Sequence, residues 1–290
     1  MNIIDKLYKR VAERGVVCLG LDTALEYIPE GLLKGKSIKE RLLEFNKRII
    51  DKTEDVVSCY KVQIAYYEAL GIEGLLAYKE TLEYLRKRNL IVIADIKRGD
   101  ISDTAGMYAK AHFEGDFEAD FITVNPYMGM DSIEPYMEYI NSCKKGIFSL
   151  VRTSNPGAKD IEMLKTEDGR EVYKVVGDNL ASFGEKSIGE CGYSGIGGVI
   201  GCTHVEDGIE IRNRFKNMFF LIPGYGAQGG KAEDVALYLN KGNGGVVNSS
   251  RRIILAYKKE NRELDFDICA REEAIRMRDE IKAAISKTLV

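Results

Sequence analysis

This sequence of 290 residues contains few histidines and prolines, and its net charge is small. Its only two histidines, His112 and His204, cannot form a His-Glu-x-x-His helix or a three-histidine zinc site. A net charge of -3 provides no overall positive field for nucleic acid, so an anionic ligand requires a local cluster of donors. No apolar run approaches the roughly 20 residues that cross a bilayer. We therefore expect no histidine-based metal centre, no nucleic-acid partner and no membrane insertion.

The six cysteines include no Cys-x-x-Cys pair, and several lie within apolar runs. This usage is typical of buried, reduced thiols in a cytoplasmic protein. Near the N-terminus, Ile3, Ile4, Leu7 and Val11 follow helical spacing with charged residues between them, unlike the apolar core of a secretion signal. The sequence predicts an N-terminal helix and a cytoplasmic location.

Short apolar runs recur along the whole chain and alternate with helix-like segments. The candidate strands are residues 16–22, 58–64, 90–96, 121–127, 146–152, 195–201, 218–224 and 244–250. Strands that are apolar on both faces and alternate with amphipathic helices favour a parallel sheet covered by helices, and eight such units close a (β/α)8 TIM barrel. A doubly wound open sheet is the alternative, but the turn after the first run lacks Gly-x-Gly-x-x-Gly.

No low-complexity stretch or linker divides the chain, so residues 1–290 are interpreted as one α/β barrel domain. The polar interval after the fifth strand predicts a mobile loop over the barrel mouth, followed by a helix over 172–183. Residues 271–285 predict a C-terminal helix packed on the outside. Two other helical segments open with capping boxes, Ser37 with Glu40 and Asp131 with Glu134.

Charged residues cluster where the second and third candidate strands end. Asp95 and Lys97 are two residues apart and should project to the same face, with Lys61 on the neighbouring strand and Asp100 in the following loop. Active sites of these barrels lie at the carboxyl ends of the strands. Burying such charges as a mere plug would be costly, so we interpret the cluster as functional, with lysine as the proton carrier.

The acidic neighbours of Lys97 distinguish two uses of this side chain. Flanking carboxylates favour the ammonium form, which is a proton donor. A Schiff-base lysine requires the opposite, a pKa lowered by burial or by a nearby cation.

A second constellation follows the last two candidate strands, as PGYGAQGG at 223–230 and NSSRR at 248–252. Loops at this position form the usual phosphate site of the barrel. Glycines let backbone amides approach an anion, and Gln228 and an arginine supply side-chain donors. The pattern predicts a phosphorylated substrate.

The segment ADIKRGDI contains Asp95, Lys97 and Asp100 at the spacing Asp-x-Lys-x-x-Asp. This spacing resembles the signature of orotidine 5'-monophosphate decarboxylases, and the match looks closest to their longer bacterial branch. The other motifs occur in family order: LGLD (19–22), YKVQIAYYE (60–68), ADIKRGDISDTA (94–105), VRTSNPG (151–157), PGYGAQGG (223–230) and NSSRR (248–252). The resemblance implies a cofactor-free lyase that converts orotidine 5'-monophosphate to uridine 5'-monophosphate in de novo pyrimidine biosynthesis.

The resemblance also implies roles for the charged cluster. Asp22 and Lys61 would contact the ribose. Lys97 would protonate C6 of the pyrimidine as carbon dioxide leaves, and Asp95 would face the departing carboxylate.

Other roles implied by the resemblance involve a second subunit and the substrate's two ends. Asp100 and Thr104 look like residues that the partner inserts, which implies a homodimer with shared active sites. Ser154 resembles the side chain that reads the pyrimidine edge. Gln228 and Arg251 resemble the phosphate ligands, with Tyr225 nearby, although Arg252 stands next to Arg251 and leaves the choice of arginine open.

Three other interpretations remain open. A magnesium-dependent sister enzyme would act on a sugar phosphate through an enediolate, with Asp95 on the metal. A barrel could bind a nucleotide without turnover, and a Schiff-base aldolase would use Lys97 as an amine. His204 is interpreted as structural.

Overall fold

Eight short strands form the centre of the molecule in a computed structural model that describes residues 1–32, 34–202, 207–226 and 229–288. The strands are β1 (Val17–Gly20), β2 (Cys59–Gln63), β3 (Val92–Arg98), β4 (Phe121–Val124), β5 (Gly146–Arg152), β6 (Ile196–Ile200), β7 (Phe220–Ile222) and β8 (Gly245–Ser249). All neighbours are parallel, and β1 pairs with both β2 and β8, so the sheet closes. The predicted TIM barrel is confirmed, and the open-sheet alternative is wrong.

Helices cover the outside of the barrel. Within the described residues they are α1 (Ile3–Arg14), α2 (Ile38–Thr53), α3 (Ile64–Glu68), α4 (Gly71–Lys87), α5 (Ser102–Phe113), α6 (Met137–Asn141), α7 (Val172–Gly184), α8 (Gly208–Arg214), α9 (Ala232–Leu237), α10 (Arg251–Ile254), α11 (Ala256–Glu260) and α12 (Phe266–Thr288). Over these same residues, no helix has the length and apolar character that a membrane crossing requires.

The barrel interior is filled by large rings opposite glycines. Phe121 and Phe148 pack with ring centroids 5.2 Å apart. A Cβ on Gly197 of β6 would lie 2.6 Å from the Phe148 ring, so the ring occupies the space where a side chain would stand. Interiors packed at crystal-like density leave no room for both groups. Glycine at position 197 is therefore a packing requirement.

The two predicted capping boxes have different outcomes. At the start of α2, Ser37 and Glu40 exchange reciprocal hydrogen bonds between side chain and backbone, as predicted. The box at Asp131 is wrong, because Asp131 lies inside a short 3-10 turn with no side-chain cap. Pro135 cannot donate a backbone N–H, and the chain forms a second 3-10 turn before α6 begins at Met137.

The two predicted terminal helices and the predicted helix after the long loop are all present. In α1, Ile3, Ile4, Leu7 and Val11 are buried in the core. Helix α7 begins at Val172, as the sequence predicts. Helix α12 packs on the outside of the barrel against α2, α9 and α10. This last contact brings the C-terminal helix close to the end of β8.

Candidate active site

A cavity of about 820 Å³ opens at the carboxyl ends of the strands. Its lining includes most of the predicted site residues: Asp22, Lys61, Asp95, Lys97, Ser154, Tyr225, Arg251 and Arg252. They come from β2, β3 and the segments that follow β1, β5, β7 and β8. Barrel geometry thus gathers residues that are up to about 230 positions apart in the chain.

Four charged side chains of alternating sign form a row across one wall of the cavity. Nζ of Lys61 lies 3.0 Å from Oδ1 of Asp22 and 3.0 Å from Oδ2 of Asp95. Nζ of Lys97 lies 2.6 Å from Oδ1 of Asp95. The structure therefore brings together the two lysines and two aspartates, in the order Asp22, Lys61, Asp95, Lys97.

Burial and charge act in opposite directions on the middle of this row. Burial alone would lower the pKa of Lys61, but the adjacent carboxylates of Asp22 and Asp95 raise it above its ordinary value. Burial would likewise raise the pKa of Asp95, but the ammonium groups of Lys61 and Lys97 hold it below the usual carboxylate range. Both groups are consequently charged at neutral pH.

The Asp95 carboxylate accepts from four donors. Oδ1 faces Lys97 Nζ and the Thr123 hydroxyl, the latter at 2.8 Å. Oδ2 faces Lys61 Nζ and the side-chain amide of Gln63, also at 2.8 Å. Because two donors engage each oxygen, the carboxylate is held in one orientation.

Sequence reasoning missed both uncharged donors. Gln63 lies two residues after Lys61 on β2, and the period-two rule for strands could have placed it on the same face. Thr123 lies on β4 within an apolar run and carried no local signal.

The backbone changes conformation at Lys97. The register of β3 against β4 shifts between Ala94 and Arg98, and Lys97 has a φ of 45°. This is the left-handed region, which L side chains adopt at an energetic cost. Asp95 and Lys97 therefore meet around a local irregularity rather than along a regular strand.

Asp100 and Thr104 do not join the row of charges. Asp100 accepts a hydrogen bond from the backbone N–H of Ile101 at 2.9 Å, and Thr104 is exposed on α5. Among the residues that the structure describes, the cavity lining includes neither Asp100 nor Thr104. The structure of one chain thus leaves both side chains outside its own cavity.

Ser154 lies at the start of the long segment that follows β5. Glu162 folds back on this segment and accepts hydrogen bonds from the Thr153 hydroxyl at 2.6 Å and from Arg152 Nη1 at 3.2 Å. Glu162 carried no signal in the sequence, because its partners lie 9 and 10 residues earlier in the chain and no motif joins them. Its contacts tie the predicted lid to the end of β5.

The residues after β7 and β8 connect to the C-terminal helix. Tyr225 donates a hydrogen bond to Oε2 of Glu280 at 2.6 Å, and the Arg252 guanidinium lies 4.9 Å from the centre of the Tyr225 ring. Arg252 also pairs with Glu280 and Glu273. Arg251, in contrast, is exposed and its guanidinium makes no hydrogen bond or ion pair with the described residues.

Two residues singled out from the sequence, Gln228 and His204, lie outside the described residues.

The chain is similar to known proteins in sequence and in fold. The family described as "Orotidine 5'-phosphate decarboxylase / HUMPS family" matches residues 15–263. A protein of Clostridium acetobutylicum named orotidine 5'-phosphate decarboxylase is 65% identical over 285 residues, covering 98% of this chain and 100% of the relative. A protein of the same name from Clostridium tetani is 63% identical, with coverage of 98% and 99%. The OMP decarboxylase structure of Leishmania donovani superposes with a TM-score of 0.79 at 29% identity, covering 99% and 100%. By this match and by its relatives, the chain belongs to the orotidine 5'-phosphate decarboxylase family.

Proposed function

We propose that this protein decarboxylates orotidine 5'-monophosphate to uridine 5'-monophosphate in pyrimidine biosynthesis, without a cofactor, and that Lys97 donates the proton to C6. The row of alternating charges at the barrel mouth carries this proposal. The names of the relatives support the same reaction.

Each member of the row has a task in the proposed reaction. Asp22 and Lys61 bind the ribose, and Asp95 faces the substrate carboxylate. When carbon dioxide leaves, the electron pair of the broken bond stays on C6. The Lys97 ammonium stabilises this charge and then transfers a proton to it, which completes uridine 5'-monophosphate.

Repulsion between Asp95 and the substrate carboxylate is too small to account for catalysis. Two like charges about 4 Å apart interact by about 1 to 4 kcal/mol at effective dielectric constants of 80 to 20. Enzymes typically lower barriers by about 8 to 23 kcal/mol. Most of the effect must therefore come from stabilising the carbanion-like transition state through Lys97 and from remote binding energy at the phosphate.

We assign the phosphate to Gln228 and Arg251, with Tyr225 as a neighbour and Ser154 on the pyrimidine edge. Arg252 is already neutralised by two glutamates of α12, whereas Arg251 is exposed at the cavity. A guanidinium that forms no ion pair within the described part of the chain is the better phosphate ligand, because no such pair is broken when the anion arrives.

We further propose a homodimer in which Asp100 and Thr104 complete the partner's site. Large apolar side chains adjacent to these two residues in the chain are exposed: Ile101 at 42% and Met107 at 67%. Apolar groups exposed together favour a protein interface. Because two-fold symmetry applies the same contact to both copies, each subunit would supply one pair.

The cytoplasm is the proposed location. All six cysteines are free thiols, as expected in a reducing compartment.

The geometry argues against two competing reactions at the same site. A divalent cation on Asp95 would have to displace donors from oxygens that each already face an ammonium group. A Schiff-base lysine needs a neighbouring cation or apolar burial, but Lys97 Nζ contacts a carboxylate.

An ultraviolet assay with orotidylate, a binding measurement with uridine 5'-monophosphate and borohydride trapping together distinguish the candidate functions. The proposal expects the orotidylate absorbance to fall at the same rate with and without EDTA, and the rate to vanish in Lys97→Ala. Loss of activity with EDTA would indicate the metal-dependent reaction instead. Binding of uridine 5'-monophosphate with no orotidylate consumption would indicate a nucleotide-binding protein, and a borohydride-trapped adduct on Lys97 would indicate an aldolase.

A further inference from the structure

We infer that Thr123 is a positioning residue whose buried hydroxyl aligns both Asp95 and Lys97 for the reaction. This inference rests on the proposed function, because it assigns a role to Thr123 only through these two residues. The observations that carry it are three hydrogen bonds converging on one oxygen atom at the irregularity in β3.

The Thr123 oxygen accepts two backbone hydrogen bonds. The N–H groups of Ile96 and Lys97 each lie 2.9 Å from Oγ1. Pairing of β3 with β4 follows one register through Ala94 and another at Arg98, so Ile96 and Lys97 lie between the two registers. The hydroxyl therefore takes the place of the strand carbonyls that would otherwise accept these bonds, and it satisfies the buried N–H group of Ile96 and the part-buried N–H group of Lys97.

The same three contacts fix the direction of the hydroxyl proton. A threonine hydroxyl has two acceptor lone pairs and one O–H donor. Since the two N–H groups occupy both lone pairs, the proton points to the remaining partner, Oδ1 of Asp95 at 2.8 Å. Thr123 is thereby committed as a donor to Asp95.

A closed loop of contacts follows. Asp95 Oδ1 receives the Thr123 hydroxyl and, at 2.6 Å, the ammonium of Lys97. Thr123 in turn holds the backbone N–H of Lys97. One hydroxyl thus constrains both ends of Lys97, its backbone directly and its ammonium through Asp95. This constraint also stabilises the left-handed backbone of Lys97, which has a φ of 45°.

Thr123 lines the cavity but is only 1% exposed, and its hydroxyl is fully engaged by Ile96, Lys97 and Asp95, so it has no hydrogen bond left for substrate. Its effect must pass through the geometry of its neighbours. Valine matches the shape of threonine but has neither lone pairs nor a donor, and it would leave the N–H groups of Ile96 and Lys97 without this acceptor. Serine retains the hydroxyl.

The test compares Thr123→Val, Thr123→Ser and a matched control, Thr53→Val. Thr53 is also buried and hydrogen-bonded, to the Ile49 carbonyl and the Tyr60 hydroxyl, but it lies on α2 away from the cavity. The measurements are kcat and KM for orotidylate, Kd for uridine 5'-monophosphate and the urea midpoint. Thr123→Val should lower kcat about 100-fold, the effect of a displacement near 1 Å, with product Kd changed less than about threefold. Thr123→Ser retains the hydroxyl, so its kcat should stay within about tenfold of the wild-type value.

The control separates positioning from stability. Thr53→Val should lower the urea midpoint and leave kcat unchanged. A folded Thr123→Val protein with wild-type kcat would overturn the inference, as would a kcat loss in Thr53→Val equal to that in Thr123→Val. If the valine variant does not fold, Thr123→Cys, with only a weak acceptor, replaces it and the same loss is expected.

The proposed function fails by a different result. Wild-type activity in Lys97→Ala would exclude Lys97 as the proton donor. This result would overturn both proposals. Loss of activity in Lys97→Ala together with wild-type kcat in folded Thr123→Val would overturn the role of Thr123 alone.

Discussion

Arg252 and Glu280 are 28 positions apart in the chain, yet Nη2 of the arginine lies 2.9 Å from Oε2 of the glutamate. The ion pair joins the end of β8 to helix α12 and turns Arg252 toward that helix. Both arginines line the cavity, but Arg251 is exposed and forms no ion pair with the described residues, so the adjacent arginines have different surroundings.

The first prediction concerns this pair of arginines. Arg251→Ala should raise KM for orotidylate by about 10- to 150-fold, the equivalent of losing one charged hydrogen bond of about 1.5 to 3 kcal/mol. Turnover of the nucleoside orotidine, which has no phosphate, should not change. Arg252→Ala should instead lower the urea midpoint, since it leaves Glu273 buried without this partner. The opposite assignment holds if Arg252→Ala alone shows the phosphate-dependent defect.

Hybrid dimers test the shared active site. Lys97→Ala and Asp100→Ala chains should each be inactive alone. Mixed in equal amounts, they should regain about a quarter of wild-type activity, because half of the dimers are hybrids and each hybrid has one intact site. Subunit exchange is verified by native mass spectrometry. No recovery despite exchange would contradict the proposed dimer.

A pH-dependent loss of stability is expected at His112. Burial, with a smaller contribution from Arg98, lowers the pKa of His112 from 6.5 to about 4. Above pH 6.5 both folded and unfolded states are neutral at this residue. As the pH falls toward 4, the unfolded state binds a proton that the folded state does not, and up to about 3 kcal/mol of unfolding free energy is lost. Urea titrations at pH 7 and pH 4 should show a smaller fall in His112→Gln, and equal falls would refute this assignment.

Gly197 provides a prediction about the core. Gly197→Ala places a Cβ 2.6 Å from the Phe148 ring and should reduce the unfolding free energy by about 1 to 3 kcal/mol. Gly31→Ala is the control, because a Cβ there meets nothing within 4 Å. The control should change stability by no more than about 0.5 kcal/mol. Equal urea midpoints for the two variants would show that the barrel interior can accommodate the methyl group.

The parts of the fold that were predictable depend on local pattern. The eight apolar runs and the Ser37 capping box each depend on residues that are close together in the sequence. The structure contains all of them. The box at Asp131 failed because one proline nearby changed the backbone hydrogen bonding. The spacing of two residues between Asp95 and Lys97 correctly predicted that their side chains lie together.

The remaining features depend on contacts between distant segments. Thr123 meets Asp95 from 28 residues away, and Glu280 meets Tyr225 from 55 residues away. No spacing rule relates such positions, since the pairing of β3 with β4 and the packing of α12 on the barrel make them neighbours. The same applies to Arg251 and Arg252, which are equivalent in the sequence and are distinguished only by the glutamates of α12.

The left-handed backbone at Lys97 sets stability and turnover against each other. Glycine adopts this conformation without the steric cost of a Cβ, which is about 1 to 2 kcal/mol. Lys97→Gly should therefore unfold at a higher urea concentration than Lys97→Ala, although both lack the ammonium and neither should convert orotidylate. The lysine side chain at position 97 therefore places its ammonium group beside Asp95 at a cost in backbone conformational energy that glycine would avoid.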